Sequence, residues 1–455
     1  MINSTPRVMI SACSSGSGKT TVICGILMAL KKRGINVHSC KCGPDYIDPM
    51  FHTSILGVPS NNLDSFFCSD ELLAHLLFKH TYNSEITVIE GVMGYYDGLS
   101  MSTDKGSSYY IAKTLKTPVI LVINAKGMAL TIVSVIKGIV DYRKDSNIRG
   151  IILNNVSNKV YNELKDVIFN ELLIDVIGYF PYTPECVIES RHLGLITPNN
   201  INNINEKLNK LGQIAEECID ISKLISIAEY AENLKIEYKN NEIIKKIVRI
   251  GVAKDDAFCF YYKDNLDLLE SIGCEIVYFS PLRDTKLPEN IDGIILGGGY
   301  PELYCKELSE NKEMLSNVKE NLKNGLPCLA ECGGFMYLHK TMEDKNKNSH
   351  NMVGLIDGKA VYCGKLVRFG YITLTSNTDT YVLKKDEKIK AHEFHYWDST
   401  NNGDTFTANK PLRNRSWQCM HQYKNVICGF PHIFYYSNPE FAIGFLNKCV
   451  EYKEY

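Results

Sequence analysis

The sequence has almost no charge imbalance: 50 Lys and Arg stand against 52 Asp and Glu in 455 residues. No basic block or stripe runs through it and no acidic tract closes it. A chain without a cationic footprint is not expected to bind nucleic acid. It also lacks any charge-free stretch of about 18 apolar residues, so no membrane-spanning helix is expected. The early apolar run Val8–Ile10 is too short for a secretory h-region and leads straight into a glycine loop; no signal peptide is expected. Among 16 cysteines there is no Cys-x-x-Cys pair, which argues against a zinc ribbon or a thioredoxin-type site. The cysteines are scattered, often inside apolar runs such as Val22-Ile23-Cys24 and Pro327-Cys328-Leu329. Reduced thiols in a cytosolic protein fit that distribution better than a disulfide framework. No short-period repeat occurs.

What is present is a chain long enough for two or three domains, with 45% hydrophobic residues to build their cores. The first half alternates short β-branched runs with helical patterns. Strands are predicted at Arg7–Ser11, Asn36–Lys41, Thr87–Glu90, Pro118–Asn124, Gly150–Asn154 and Val176–Phe180. Thr20–Arg33 has helical spacing, with Val22, Ile23, Ile26, Leu27 and Leu30 on one face and Gly34 closing it. After the Asn-rich Pro198–Asn205 and the charged Lys235–Lys246, the alternation restarts. Strands are predicted at Ile247–Ala253, Glu275–Phe279, Gly293–Leu296 and Leu326–Ala330, and helices at Asn265–Gly273 and Asn311–Lys323. The expectation is two tandem α/β domains with mainly parallel sheets, over residues 1–240 and 246–455.

Ser11–Thr21 joins the first strand to the first helix and reads Ser-Ala-Cys-Ser-Ser-Gly-Ser-Gly-Lys-Thr-Thr. Small residues let backbone N–H groups wrap a phosphate, and the helix N-terminus adds its positive dipole end. Ser15, Gly16, Gly18, Lys19, Thr20 and Thr21 are the expected nucleotide-binding residues. Lys19 would reach the β- and γ-phosphates and the Thr20 hydroxyl would ligate Mg²⁺. Cys13 stands where the usual pattern has its leading glycine, so the strict motif fails. Acidic residues follow the next strands: Asp45 and Asp48 in Gly43–Pro49, then Glu90 and Asp97 in Glu90–Gly98. Open α/β sheets place ligands at such strand ends, where carboxylates can hold a metal. Each taken alone also suits a turn residue beside Pro or Gly.

In the second half, Leu326–Leu338 runs a short apolar strand into Cys332-Gly333-Gly334 and then a helical pattern. A sharp strand-to-helix turn exposes a nucleophile and aims the following N–H groups at a developing oxyanion. A helix N-terminus also favours thiolate over thiol. A second cluster, Gly297–Glu302, follows a strand, making Gly298, Gly299 and Gly333 the oxyanion candidates. The thiol needs a base, and His392, His395 and His432 all qualify by residue type; spacing does not choose among them.

Taken together, Lys41–Pro49, Asn62-Leu63-Asp64, Glu90–Gly98, Ser190–Leu195, Gly297–Glu302, Glu331–Gly334 and His392–His395 resemble the cobyrinate a,c-diamide synthase family, in order and over nearly the whole chain. The resemblance implies an N-terminal domain related to dethiobiotin synthetase and the partitioning ATPases, and a class I-type glutamine amidotransferase domain. It implies Cys332 as nucleophile and His432 as its base. Phe434 occupies the position where ordinary class I amidotransferases carry a glutamate, so a Cys–His dyad is expected. The same resemblance makes Asp48 and Asp97 catalytic, and Thr20, Asp45 and Glu90 metal-binding. The implied reaction is ATP- and glutamine-dependent amidation of a tetrapyrrole carboxylate, with Mg²⁺ and ATP required. The expected partners are small molecules, with a homo-oligomer left open. Nickel-sirohydrochlorin a,c-diamide synthase is the alternative within this chemistry. A partitioning-type ATPase switch is the alternative of another class, and the fused Cys332 domain argues against it.

Overall fold

The computed structural model describes residues 2–186, 204–236 and 247–454. The Ser190–Leu195 motif and all of Lys235–Lys246 beyond Ile236 lie outside the described residues. The chain forms two compact units, Met1–Tyr238 and Lys239–Tyr455.

In the first unit, seven strands make one sheet: β1 (Arg7–Ala12), β2 (Val37–Cys42), β3 (Ser60–Leu63), β4 (Ile86–Glu90), β5 (Val119–Asn124), β6 (Ile148–Asn154) and β7 (Asp175–Phe180). Their order is β3-β2-β4-β1-β5-β6-β7, and every pairing is parallel. An all-parallel sheet must be covered on both faces. β1, β2 and β4 are accordingly buried along their whole length. Helix α1 (Lys19–Lys32) follows β1 and packs on a second helix, α2 (Ile204–Cys218). Glycines allow the close approach: a Cβ on Gly25 would lie 2.9 Å from the Leu211 carbonyl, and one on Gly212 would lie 2.7 Å from the Met28 Cβ. β3 is a difference from the sequence expectation. Its Ser-Asn-Asn-Leu sequence has no apolar alternation, and backbone pairing to β2 makes it a strand.

The second unit combines four sheets among the described residues, one of them the two-stranded pair of Phe258–Phe260 with Gly298–Gly299. β8 (Val248–Ala253), β9 (Phe258–Phe260), β10 (Cys274–Phe279), β11 (Gly293–Leu296), β12 (Gly298–Gly299) and β13 (Cys328–Glu331) come first, with helix α3 (Gly333–Leu338) after β13. Then follow β14 (Arg368–Ser376), β15 (Lys388–His395), β16 (Phe406–Asn409), β17 (Ser416–Cys419), β18 (His421–Tyr423), β19 (Val426–Gly429) and β20 (His432–Ile433). The central sheet runs β10-β8-β11-β13-β19-β18, parallel except for its last pair. An antiparallel sheet, β17-β16-β14-β15-β20, stands beside it. A mixed sheet of His339–Glu343, Ser349–Asn351, Ile356–Tyr362 and Trp397–Ser399 completes the unit. These two sheets go beyond the expected βα alternation.

Candidate active site

The first centre gathers at the carboxyl ends of β1, β2 and β4. Between β1 and α1 the chain turns through Gly16 (φ 76°) and Gly18 (φ 87°), a region unfavourable to residues with a Cβ. Gly18 has a second reason to be glycine, because any Cβ would overlap the Asn154 amide. That amide donates to the Ser17 carbonyl at 2.9 Å and ties the loop to the end of β6. Lys19 Nζ donates to the Ser14 carbonyl at 3.1 Å and the Met93 carbonyl at 2.6 Å. Burial, and next the Lys41 charge, lower its pKa to about 8.

Beside the loop sits a buried ionic network. Lys41 Nζ, at the end of β2, is 2.5 Å from Asp48 Oδ2 and 2.8 Å from Glu90 Oε1. Thr20 Oγ1 donates to the same Glu90 oxygen at 2.9 Å. Burial opposes the charge on Lys41, yet Asp48 and Glu90 outweigh it and hold the ammonium well above its ordinary value. Burial likewise opposes the Asp48 carboxylate, and Lys41 reverses the sign, so Asp48 stays ionised. Asp45 differs: burial and the Asp48 charge push it up to about 7. Its Oδ1 accepts from the Ile47 N–H at 2.8 Å, while Asn62 Nδ2 donates to the Gly43 and Asp45 carbonyls. His52 is held neutral by burial, down to about 4.

Asp97 sits differently from Asp48. Its Oδ2 accepts from the Gly94 N–H at 2.9 Å, closing a turn, and its charge raises Lys19. Met93, in the same turn, has φ 51°. Ser15 and Gly16 are exposed at the loop tip, and Thr21 is half-buried at the start of α1. Lys41 was assigned no role from the sequence. A lysine closing an otherwise buried strand, just before Gly-Pro, was the available signal.

The second centre is the turn after β13. Cys332 takes φ 47° and ψ −99°, a strained conformation for a residue with a Cβ. Its N–H donates to the Gly429 carbonyl at 2.8 Å, and the Gly334 N–H donates to the Gly297 carbonyl at 2.9 Å. A Cβ on Gly333 would lie 2.9 Å from Pro301 and 3.2 Å from the Gly299 nitrogen. One on Gly298 would overlap the His432 ring. The Gly298–Gly299 strand is thus a shared neighbour of the Cys332 turn and of His432.

β20 carries His432 and pairs with β15, placing His392 directly opposite. Glu331 Oε1 accepts from the Ile433 N–H at 3.4 Å, joining the nucleophile strand to the strand of His432. His395 is otherwise engaged: its Nδ1 lies 2.6 Å from the Trp397 carbonyl and its ring stacks on Phe430 at 4.0 Å. Two influences oppose each other at the Cys332 sulfur. Burial, then the charges of Glu302 and Glu393, push the Cys332 thiol far up, against the Gly333 N–H that favours the anion. Burial, then His392 and His395, lower His432 to about 3 and keep it neutral, the form that can accept a proton.

These two centres have counterparts in known proteins. Residues 8–195 match the CobQ/CobB/MinD/ParA nucleotide binding domain, and residues 249–440 match the CobB/CobQ-like glutamine amidotransferase domain. Fold and sites therefore define a glutamine amidotransferase fused to its own nucleotide-binding domain. Cobyrinate a,c-diamide synthase of Caldanaerobacter subterraneus is 41% identical, over 97% of this chain and 98% of that protein. The enzymes of the same name from Clostridium acetobutylicum and Clostridium tetani are 40% and 41% identical, over 95% and 97% of this chain and 98% and 99% of theirs. The chain belongs to the cobyrinate a,c-diamide synthase family, ATP-dependent, glutamine-hydrolysing amide ligases. Among the described residues no helix is long and apolar enough to cross a membrane.

Proposed function

We propose that this chain converts the a and c acetate carboxylates of cobyrinate to amides through acyl phosphates, using ATP and ammonia drawn from glutamine. One observation carries the reading: Lys19, Thr20, Lys41, Asp48 and Glu90 converge at the carboxyl ends of adjacent strands, in a chain whose other unit holds the strained Cys332 turn. A carboxylate is a poor electrophile, so a substrate oxygen first attacks the γ-phosphorus and the bond to the β-phosphate oxygen breaks. Lys19 neutralises charge on the phosphates, and the backbone of Gly16–Thr20 positions them. Lys41 holds Asp48 ionised and, with Thr20, fixes the position of Glu90, whose pKa burial keeps above its ordinary value.

The residues also suit Mg²⁺. Thr20 Oγ1 and Glu90 Oε1 are 2.9 Å apart, and Glu90 Oε2 is buried without a hydrogen-bond partner from the protein. Oxygen donors of this kind fit a hard divalent cation. Thr20 and Glu90 would hold it, with Asp45 the neighbouring carboxylate, and it would supply charge neutralisation at the transferring phosphoryl group.

In the second unit His432 takes the Cys332 proton as the sulfur attacks the glutamine amide. The N–H groups around Gly298, Gly299 and Gly333 face the oxyanion. As the tetrahedral adduct collapses to a thioester the C–N bond breaks, the nitrogen takes the proton back from His432 and departs as ammonia, and water then hydrolyses the thioester. Ammonia attacks the acyl phosphate, forming the C–N bond and releasing phosphate.

The test separates the halves. Cys332→Ala is expected to lose glutamine-dependent synthesis while retaining synthesis from high ammonium, read by mass spectrometry of cobyrinate products. Nickel-sirohydrochlorin is offered in parallel. Loss of both routes in a folded variant, or diamide formation only on the nickel compound, refutes the reading.

A further inference from the structure

The inner face of the antiparallel sheet carries charged groups that the reaction steps above leave unused. Glu393 on β15 is 0% exposed, yet neither carboxylate oxygen has a hydrogen-bond partner. An ionisable group buried without a partner is costly, and such a group marks a place for a ligand more often than a place for packing. The register pairs Gly370 with Glu393 and Arg368 with His395. Arg368 and Glu393 are therefore diagonal neighbours on one face of β14 and β15. Arg368 Nη1 is also buried without a partner. Its guanidinium lies 5.1 Å above the Trp417 ring, with Lys410 Nζ 5.9 Å from the same ring. The Trp417 indole N–H stands beside Glu393, outside hydrogen-bonding geometry. The face thus offers a carboxylate with no hydrogen-bond partner and, diagonal to it, a guanidinium whose Nη1 has none. Pairing of β15 with β20 sets its position: His392, next to Glu393 in the chain, lies opposite His432, whose ring abuts Gly298, and Gly299 abuts the Cys332 turn at Gly333. The Glu393 charge reaches Cys332 as well. Burial keeps Glu393 itself up at about 7, against the pull of Arg368 and Lys410.

We infer that Glu393 is the residue that selects an α-amino acid amide as nitrogen donor: its carboxylate accepts the α-ammonium of glutamine, while Arg368 takes the α-carboxylate. The zwitterionic end of the substrate supplies to each side chain the partner the protein withholds. The inference rests on Cys332 as the nucleophile. Glu302 is the other non-adjacent carboxylate whose charge reaches Cys332, but its oxygens are not among the buried atoms left without a partner, and Lys345 acts on it.

The experiment uses the full-length enzyme and two truncated substrates. One is 4-carbamoylbutanoate, which is glutamine without its α-amino group; the other is 4-aminobutanamide, which lacks the α-carboxylate. Wild type should prefer glutamine to either by at least about 100-fold in kcat/KM, because each analogue leaves a buried charge unpaired. Glu393→Gln should raise KM for glutamine about 100-fold with kcat little changed, and leave 4-carbamoylbutanoate hydrolysis unaffected. Arg368→Met should erase the discrimination against 4-aminobutanamide in the same way. The inference is overturned if Glu393→Gln slows both substrates by one factor, as a merely structural residue would. It is equally overturned if Glu302→Gln abolishes the preference instead, or if wild type hydrolyses 4-carbamoylbutanoate as well as glutamine. The wild-type comparison needs no variant to fold. Retained glutamine hydrolysis in Cys332→Ala would instead sink the nucleophile assignment, so the two failures are distinguishable.

Discussion

Lys41→Met removes the cation that holds Asp48 and Glu90, and it tests the electrostatic account of the first centre directly. Methionine keeps most of the volume, so the perturbation is the loss of two contacts at 2.5 and 2.8 Å. All three side chains are at least nine-tenths buried, so solvent screens the interaction little. Deleting one partner of a buried ionic network leaves uncompensated charge and costs about 3–5 kcal/mol. The first-domain transition in urea should shift by that amount near pH 8. The sign of the pH dependence follows from the shifts. In wild type Lys41 lowers the Asp48 pKa, so the Asp48 contribution is present above its unfolded value and is lost as pH falls through the lower folded one, whereas burial keeps Glu90 above its ordinary value even beside Lys41. In the variant both carboxylates feel burial with no cation, so their folded pKa values lie above the unfolded ones. Their cost is then relieved by protonation, and the variant recovers stability as pH falls from 8 to 5. Urea melts across that range, with ATP-dependent synthesis and glutaminase assayed in parallel, check this. Synthesis should be lost and glutaminase retained. A loss below about 1 kcal/mol that does not change with pH would refute the claim that Lys41 compensates the two carboxylates.

Lys19→Ala should abolish synthesis with glutamine or ammonium as nitrogen source, since both need the activated carboxylate; product mass spectrometry checks it. Asp97→Asn should lower synthesis more than tenfold in kcat while glutaminase is unchanged, because the lost charge acts on Lys19; equal rates at saturating ATP would reduce Asp97 to a turn residue. Gly298→Ala should cost at least about 100-fold in glutamine hydrolysis, because its methyl group would displace the His432 ring. Ammonium-dependent synthesis by the same protein is the control.

The parallel cores were legible because each strand is a short β-branched run ending in turn chemistry. Arg7–Ala12, Val119–Asn124 and Gly293–Leu296 show this. Ser60–Leu63 was not, since its strand state comes from backbone pairing with β2 and not from its own side chains. The antiparallel sheet escaped for a related reason: Arg368–Ser376 mixes exposed and buried positions. The loop and nucleophile turns were visible as local motifs, because a tight turn imposes glycine at fixed offsets. Networks assembled from distant segments were not. Lys41 acquires its meaning only when β2 and β4 lie side by side, and Glu393 only when a hairpin brings Arg368 to its diagonal. The burial that raises the Cys332 thiol is likewise invisible locally, whereas the helix end that favours the anion is a motif.

The lysine of the phosphate loop is not idle before nucleotide arrives. It is bonded to a carbonyl of its own loop and to the carbonyl of Met93, in the segment that begins at Glu90 and ends beyond Asp97. A phosphate oxygen taken by Lys19, as proposed above, would compete with the Met93 carbonyl for the same ammonium. Exchange of the two would couple nucleotide binding to the turn that holds Met93. Linkage makes such a coupling reciprocal. A ligand that restrains the Glu90–Gly98 segment must change nucleotide affinity by the factor with which nucleotide changes its own. The size of that factor would be set by the Lys19 to Met93 hydrogen bond, whichever ligand binds first.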